Sequence, residues 1–210
     1  MTPTPKLSTF SWKPAGFFVA AVKALNVWGL NDTETVKVLA ACPGVPILSY
    51  QNLNVFVPQL TQLPLRRLTA PTRVSAYCIN STIAPAWLPT LTHLDIGFSN
   101  PQGVPLAAML RRLPRLTNLA LALTSSVEPS FTAEICASCP VLRVLVLFTT
   151  RAEDGEYQKQ YAFDSRIVLV NAASDDDEDW NASLLGLPDF WTRAESVVDG
   201  RRGQATIQSI

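Results

Sequence analysis

The sequence predicts an α/β solenoid in which a parallel sheet lines the concave side, helices cover the convex side and a helix closes the C-terminal end. Three observations predict this fold: a leucine phrase that recurs along the chain, a proline that precedes most of its copies, and helix-like segments between the copies. A single strand–helix unit cannot bury its own apolar flank, so neighbouring units must stack.

The recurring phrase is L-x-x-L-x-L, and it occurs six times with conservative apolar replacements. The copies read VKALNV, VPILSY, LRRLTA, LTHLDI, LTNLAL and LRVLVL, with middle leucines Leu25, Leu48, Leu68, Leu94, Leu119 and Leu145. Successive copies are therefore 23, 20, 26, 25 and 26 residues apart, within the period of roughly 20–29 residues of leucine-rich repeats. Alternation of apolar positions inside each copy is typical of a short strand.

Proline and the intervening segments supply the rest of each unit. A Cys-Pro or Leu-Pro pair stands just before five of the strands, starting at Cys42, Leu63, Leu88, Leu113 and Cys139. Proline disfavours helix in the residue before it and so ends the preceding helix. The segments DTETVKVLAAC, PLAAMLRRL and FTAEICASC read as these helices, with Asp32 or Thr33 as the N-cap of the first.

The four cysteines predict neither a metal site nor redox chemistry. CASC at 136–139 has the spacing of a redox pair or half a zinc site, but there is no second such pair, and His93 is the only histidine. Cys42 and Cys139 instead replace leucine at a buried helix end, where cysteine acts as a small hydrophobic residue. We therefore expect no metal and no cofactor.

Composition bounds the class of protein. A chain of 210 residues with 48% hydrophobic residues is long enough for one domain with its own core. Lysine and arginine total 17, as do aspartate and glutamate, so the net charge favours neither nucleic acid nor a membrane surface as a partner. The apolar run at 15–22 is too short to cross a bilayer. We expect a cytoplasmic or nuclear protein.

We divide the chain into four parts. Residues 1–20 form a lead-in, 21–170 the repeat array of about six repeats with a terminal strand, 171–202 an acidic loop and capping helix, and 203–210 a tail. The acidic run DDDED at 175–179 predicts a solvated loop. We expect the capping helix to end before Gly200 and to pack against the last repeat, with a partner-binding face as the alternative. Its apolar residues are Leu187, Phe190, Trp191, Ala194, Val197 and Val198.

The phrases LTHLDI, LPRLTNLAL and CPVLRVLVL resemble the divergent leucine-rich-repeat regions of F-box-like proteins of mushroom-forming fungi. The segments DSRIVLV and DFWTRAESVV are similar to the terminal element of that family, and the likeness covers most of residues 20–202. The resemblance implies the substrate-recognition part of a ubiquitin-ligase receptor. The first 40 residues lack the leucine- and proline-rich helical signature of an F-box, so we expect recognition without the F-box that would recruit the ligase scaffold adaptor.

Candidate binding residues follow from the strand periodicity. The third and fifth positions of each phrase face away from the leucines, toward the concave surface. We predict that Arg67, Thr69, His93, Asp95 and Asn118 form a partner-binding surface for another protein. The corresponding residues Val144 and Val146, together with Phe148, are apolar, so we expect them to lie under the C-terminal tail or the 151–163 loop.

His93 and Asp95 lie two residues apart on one predicted strand and so on the same face. A hydrogen bond between them would raise the pKa of the histidine. Catalysis would also require a nucleophile, and neither G-x-S-x-G nor a reactive-cysteine signature is present. We therefore predict no catalytic residues and a non-enzymatic role. The alternatives are an enzyme activator or hydrolase on the same scaffold, and a degenerate repeat protein without a ligase role.

Overall fold

The computed structural model describes residues 16–50, 58–81, 84–98, 106–123, 127–172 and 176–207. These residues form an α/β fold around one open, seven-stranded sheet. Every strand runs parallel to the strand before it, and the order in the sheet is the order in the chain. The strands are β1 (Ala24–Asn26), β2 (Ile47–Ser49), β3 (Arg67–Pro71), β4 (His93–Phe98), β5 (Asn118–Leu123), β6 (Val144–Thr149) and β7 (Ile167–Asn171).

Helical segments connect the strands, as the sequence predicts. A 3-10 helix, Pro58–Gln62, connects β2 to β3, and two further helices follow the last strand. The α-helices are α1 (Phe17–Ala21), α2 (Asp32–Ala41), α3 (Thr72–Asn80), α4 (Leu106–Leu110), α5 (Pro129–Ser138), α6 (Gly155–Tyr161), α7 (Asp176–Leu184) and α8 (Phe190–Ile207). In the described ranges, the structure has no helix long and apolar enough to span a bilayer.

The repeated leucines stand side by side in the sheet. The pairing register aligns Leu25, Leu48, Leu68, Leu94, Leu119, Leu145 and Ile167 across all seven strands. This row packs against Leu39 of α2, Met109 of α4 and Ile135 of α5 in the main hydrophobic core. The prediction of a parallel sheet with helices packed on its leucine face is therefore confirmed.

Helix ends follow the predicted pattern, with one correction. Cys42 and Cys139 are the C-terminal caps of α2 and α5, and both are buried as predicted. The N-cap of α2 is Asn31, rather than Asp32 or Thr33. The Asn31 side chain accepts from the backbone N–H of Glu34, and the Glu34 carboxylate accepts from that of Asn31. This reciprocal pair satisfies two backbone donors at the helix start.

The C-terminal region differs from the prediction in two ways. Most of the acidic segment expected to be a loop is the helix α7, which begins at Asp176, while residue 175 lies outside the described residues. The last helix does not end before Gly200 but continues to Ile207, into the segment predicted as a tail. Glycine ends a helix when it takes positive φ; Gly186 between α7 and α8 has φ 69°, whereas Gly200 has no positive φ.

The helix α8 packs against the last strands of the sheet, as predicted. It does so on the sheet face opposite α2–α6. There Trp191, Ala194 and Val198 form a second hydrophobic cluster with residues of β5, β6 and β7. Val144, Val146 and Phe148 belong to this cluster, so of the two predicted covers, the C-terminal region and the 151–163 loop, the C-terminal region is the one observed. We call this sheet face the α8 face.

The helix also reaches the edge of the sheet. Nη1 of Arg201 donates hydrogen bonds to the carbonyl oxygens of Ile167, at 2.6 Å, and Ser165, at 3.3 Å. Carbonyl groups on an edge strand are otherwise a template for pairing with another chain. The end of α8 thus covers part of the β7 edge.

Candidate functional site

Two rows of side chains cross the α8 face in register. The first row contains Ile47, Arg67, His93, Asn118 and Val144. The second row contains Ser49, Thr69, Asp95, Ala120, Val146 and Val168. The structure therefore brings all five predicted binding residues to one face of the sheet, in adjacent positions.

Polarity changes along these rows. On β2–β4 the second row is polar, whereas on β5–β7 it consists of alanine and valine. The helix α8 covers the apolar part, so that Ala120 and Val146 have no exposed surface. Burial of this apolar surface holds the helix in place. We call the β5–β7 part of the face the covered half and the β1–β4 part the cleft half.

Asn118 belongs to the covered half, contrary to the prediction that it lies in an exposed binding surface. Only 1% of the residue is exposed. Its Nδ2 donates a hydrogen bond to Oε1 of Glu195 in α8, at 2.9 Å. A buried amide requires such a partner, so Asn118 fixes the helix and is not available for a partner protein.

Arg67 also forms hydrogen bonds with the C-terminal region. Its Nη1 donates to Oγ of Ser183 at 3.0 Å, and its Nη2 donates to Oδ2 of Asp189 at 2.8 Å. The side chain of Arg67 keeps 26% of its surface exposed, while that of Asp189 keeps 6%. Arg67 therefore combines a structural contact with access to solvent.

Asp189 directly precedes α8 and caps it. Its Oδ1 accepts hydrogen bonds from the backbone nitrogen of Thr192, at 3.0 Å, and from the Thr192 hydroxyl, at 2.9 Å. Burial alone would raise the pKa of this carboxyl group, but the hydrogen bonds from Thr192 and Arg67 outweigh it and hold the pKa below its ordinary value. Asp189 is thus a carboxylate at neutral pH.

His93 has the opposite pKa shift from the one predicted. Its ring packs edge-to-face on Trp191, with centroids 5.3 Å apart, and its Nδ1 lies 2.9 Å from Oγ1 of Thr92. Burial lowers the pKa of His93 to about 4, the positive charge of Arg67 adds to this effect, and Asp189 opposes it. The expectation that Asp95 raises the pKa is therefore wrong, because burial and Arg67 dominate.

The cleft half forms one wall of a cavity of about 400 Å³, which we call the cleft. Its sheet side includes Arg67, Thr69, His93 and Asp95, four of the five predicted residues. Much of the remaining lining comes from α7, from the start of α8 and from Trp28, which is 68% exposed. The residues contributed by α7, α8 and the preceding turn are Asp179, Trp180, Ser183, Asp189, Phe190 and Trp191.

The sequence analysis did not identify the cleft residues that lie outside the strands, namely Trp28, Trp180 and Asp189. Trp28 follows the first strand phrase and precedes Gly29, a glycine with φ 73°; a large aromatic at such a turn is a signal for a surface site. Asp189 comes between Pro188 and an apolar helical run, which is the pattern of an N-cap. Trp180 carries no local signal, because only the fold of α7 brings it to the sheet.

The three cysteines whose side chains the structure describes, Cys42, Cys136 and Cys139, are buried. Cys136 is buried, and burial, assisted by the charge of Asp164, raises the pKa of its thiol to about 12. Burial also raises the pKa of Cys42 and Cys139. Across the part of the chain that the structure describes, no three histidine, cysteine or acidic side chains are grouped to hold a metal ion.

In comparisons with known proteins, the chain matches no protein-family model, no curated protein and no solved structure.

Proposed function

We propose that this chain is a non-enzymatic, leucine-rich-repeat type module that binds a short segment of another protein in the cleft. One observation carries the proposal: α8 fills the covered half of the sheet face, while the cleft half retains an accessible, aromatic and polar cavity. Strands with alternating side chains, fixed by pairing on both sides, provide a rigid base for recognition.

The size of the cleft favours a short segment over a whole folded domain. A stable interface between two domains buries about 800 Å² on each partner, and α8 already occupies the apolar part of the face. A cavity of about 400 Å³ instead has the volume of a small-ligand site, which fits a few side chains of an extended peptide.

The properties of His93 and of the buried cysteines argue against the alternative role as a hydrolase. The nitrogen Nδ1 of His93 is engaged with Thr92, and a histidine with a pKa near 4 is a weak base at neutral pH. The three described buried thiols have raised pKa values, so they are poor nucleophiles. Recognition therefore accounts for the cleft better than acid–base or nucleophilic catalysis.

A display selection tests the binding proposal. Random 12-residue peptides are selected on the full chain and counter-selected on Thr69→Tyr, which places a bulky neutral ring on the sheet side of the cleft. We expect peptides whose affinity for Thr69→Tyr is at least tenfold weaker than for the native chain. Phe163→Tyr is the control, because Phe163 is 53% exposed and does not line the cleft. Peptides that bind all three proteins equally, or no enriched peptide at all, would favour a degenerate repeat protein.

The resemblance to F-box-like proteins extends the proposal to a biological role. We propose that the partner segment belongs to a protein selected for ubiquitination, with this chain as the recognition part. Because the first 40 residues lack an F-box signature, the link is tested on the captured partners: proteins bound by the full chain in cells are analysed for ubiquitin before and after proteasome inhibition. Partners that carry no ubiquitin in either case would remove the ligase role and leave the peptide-binding module.

A further inference from the structure

The charges lining the cleft are unbalanced. The lining contains three carboxylates, Asp95, Asp179 and Asp189, and one guanidinium, that of Arg67. His93 is uncharged at neutral pH, because its pKa is about 4. Three negative charges less the charge of Arg67 leave −2 on the lining, and Arg193, which binds Asp179 from outside the lining, reduces the local excess to −1.

The cations that bind Asp179 and Asp189 are engaged within the protein. Arg67 binds Asp189 and Ser183, as described above. Arg193, which does not line the cleft, binds Asp179 with its Nη2 at 2.8 Å and 3.1 Å from the two carboxylate oxygens. An anionic ligand would have to break these contacts and approach an excess of negative charge, whereas a cation would not.

Aromatic rings make up much of the remaining surface. Phe148, Phe190, Trp191 and His93 form a continuous series of ring contacts, with centroids 5.1, 4.4 and 5.3 Å apart. Trp28 and Trp180 also line the cleft. Aromatic faces attract cations through the negative charge of their π-systems, and tryptophan does so most strongly.

We propose that the cleft binds a basic side chain, lysine or arginine, of the partner segment. Its aliphatic stem packs against the tryptophan rings, and its cationic head lies near Asp95. This inference rests on the proposed function, since it names the chemistry of the segment that the cleft would recognise. A long, flexible stem with a terminal charge suits a cavity that is lined by both aromatic rings and carboxylates.

Blocked amino acids test the inference without any selected peptide. The probes are Nα-acetylarginine methylamide and Nα-acetyllysine methylamide, with the citrulline and glutamate analogues as neutral and acidic controls. Binding is followed by the indole N–H resonances in ¹H–¹⁵N spectra, and the Trp28 signal is assigned from Trp28→Leu. We expect saturable shifts at Trp28 and Trp180 with the basic probes and none with the controls. Equal shifts with the citrulline analogue would overturn the inference.

Two variants place the binding in the cleft. We expect Asp95→Asn and Trp28→Leu each to weaken binding of the arginine probe by about fivefold, the size of one exposed charge pair for Asp95 and of one exposed cation–π contact for Trp28. The matched controls Glu153→Gln and Phe163→Leu change an exposed acid and an exposed aromatic that do not line the cleft. Because Trp28 is 68% exposed, its variant keeps the test valid if Asp95→Asn proves unstable. Unchanged affinity in Trp28→Leu would overturn the inference.

The outcomes separate this inference from the proposed function. Selected peptides that keep their affinity after each basic residue is replaced by citrulline or norleucine would overturn the basic-side-chain inference and leave peptide binding intact. Basic probes that bind while the display selection yields no cleft-dependent peptide would overturn the proposed function alone. Choline that binds tenfold more tightly than the arginine probe would overturn the assignment to a polypeptide side chain.

Discussion

The carboxylate of Asp189 joins α8 to β3, because its Oδ2 lies 2.8 Å from Nη2 of Arg67 while its Oδ1 caps the helix at Thr192. The two residues are 122 positions apart in the chain. One acidic group therefore fixes both the start of the helix and its position over the sheet. The cleft exists because this contact holds the C-terminal helices at the polar part of the face.

Loss of Asp189 should destabilise the fold. We expect Asp189→Ala to lower the free energy of unfolding by about 2–3 kcal/mol, since it removes a helix cap and leaves a partly buried guanidinium without its carboxylate. Urea denaturation measures the change. Asp154→Ala is the matched control, because Asp154 caps α6 and binds Arg151 in the same way at a more exposed position. A loss in the control equal to that in Asp189→Ala would contradict this interpretation.

Acidification should destabilise the protein through His93. Its pKa is about 4 in the folded state and 6.5 ordinarily, so between these values the unfolded chain binds more protons. The free energy of unfolding therefore rises with pH between about 4 and 6.5. The contribution of His93 is fully present above about pH 6.5 and is lost as the pH falls toward 4. From pH 7 to pH 5 we expect a loss of about 2 kcal/mol, at 1.36 kcal/mol per unit of pH below 6.5.

His93 is the only histidine in the chain, which makes the measurement specific. In His93→Phe, which keeps an aromatic ring beside Trp191, the free energy of unfolding should become nearly independent of pH between 5 and 7. The imidazole proton resonance of the native protein should titrate near pH 4. A midpoint near 6.5 would show that packing against Trp191 does not shield the His93 ring from solvent.

The two halves of the sheet face should respond differently to the same polar substitution. Val146→Asn buries an amide at a position without exposed surface, beneath α8. We expect it to cost about 3 kcal/mol or more. Thr69→Asn in the same row, but in the cleft half, should change stability by less than about 1 kcal/mol. Equal costs in urea denaturation would mean that α8 does not cover β6.

The buried thiols should be inert in the native state. In a Cys78→Ser background, Cys42, Cys136 and Cys139 should resist alkylation by iodoacetamide at pH 8, because burial raises their pKa values and blocks access. All three should react after unfolding in guanidinium, as mass spectrometry would detect. Rapid modification of Cys136 in the native protein would revive the redox interpretation of CASC.

Much of the architecture was predictable because it depends on local periodicity. The phrases around Leu68, Leu94 and Leu119 each alternate with a period of two, so the chain must place these leucines on one side of a strand. Repetition every 20 to 26 residues then aligns the strands. Proline before the strand and cysteine at the helix end mark boundaries that require no knowledge of distant residues.

The positions of the C-terminal helices α7 and α8 in the fold could not be predicted from the local sequence pattern. The apolar residues Trp191, Ala194 and Val198 predict an amphipathic helix, but amphipathicity does not specify which surface covers it. The acidic residues of 175–179 suggested a loop because charge runs are usually solvated, yet Asp179 binds Arg193, 14 positions further along the chain. A contact of that kind has no signature in the local pattern.

By itself, then, the sequence determined the repeating strand–helix units, the face that the leucines occupy and the side chains on the opposite face. Only the tertiary structure decided that α8 and not the 151–163 loop covers the valines, that α8 also covers Asn118, and that Trp28, Trp180 and Asp189 meet Arg67, His93 and Asp95 around one cleft. The reason is physical: the side-chain alternation of a strand is set by its own backbone. The position of the last helix depends instead on burial, an ion pair and hydrogen bonds between residues up to 122 positions apart.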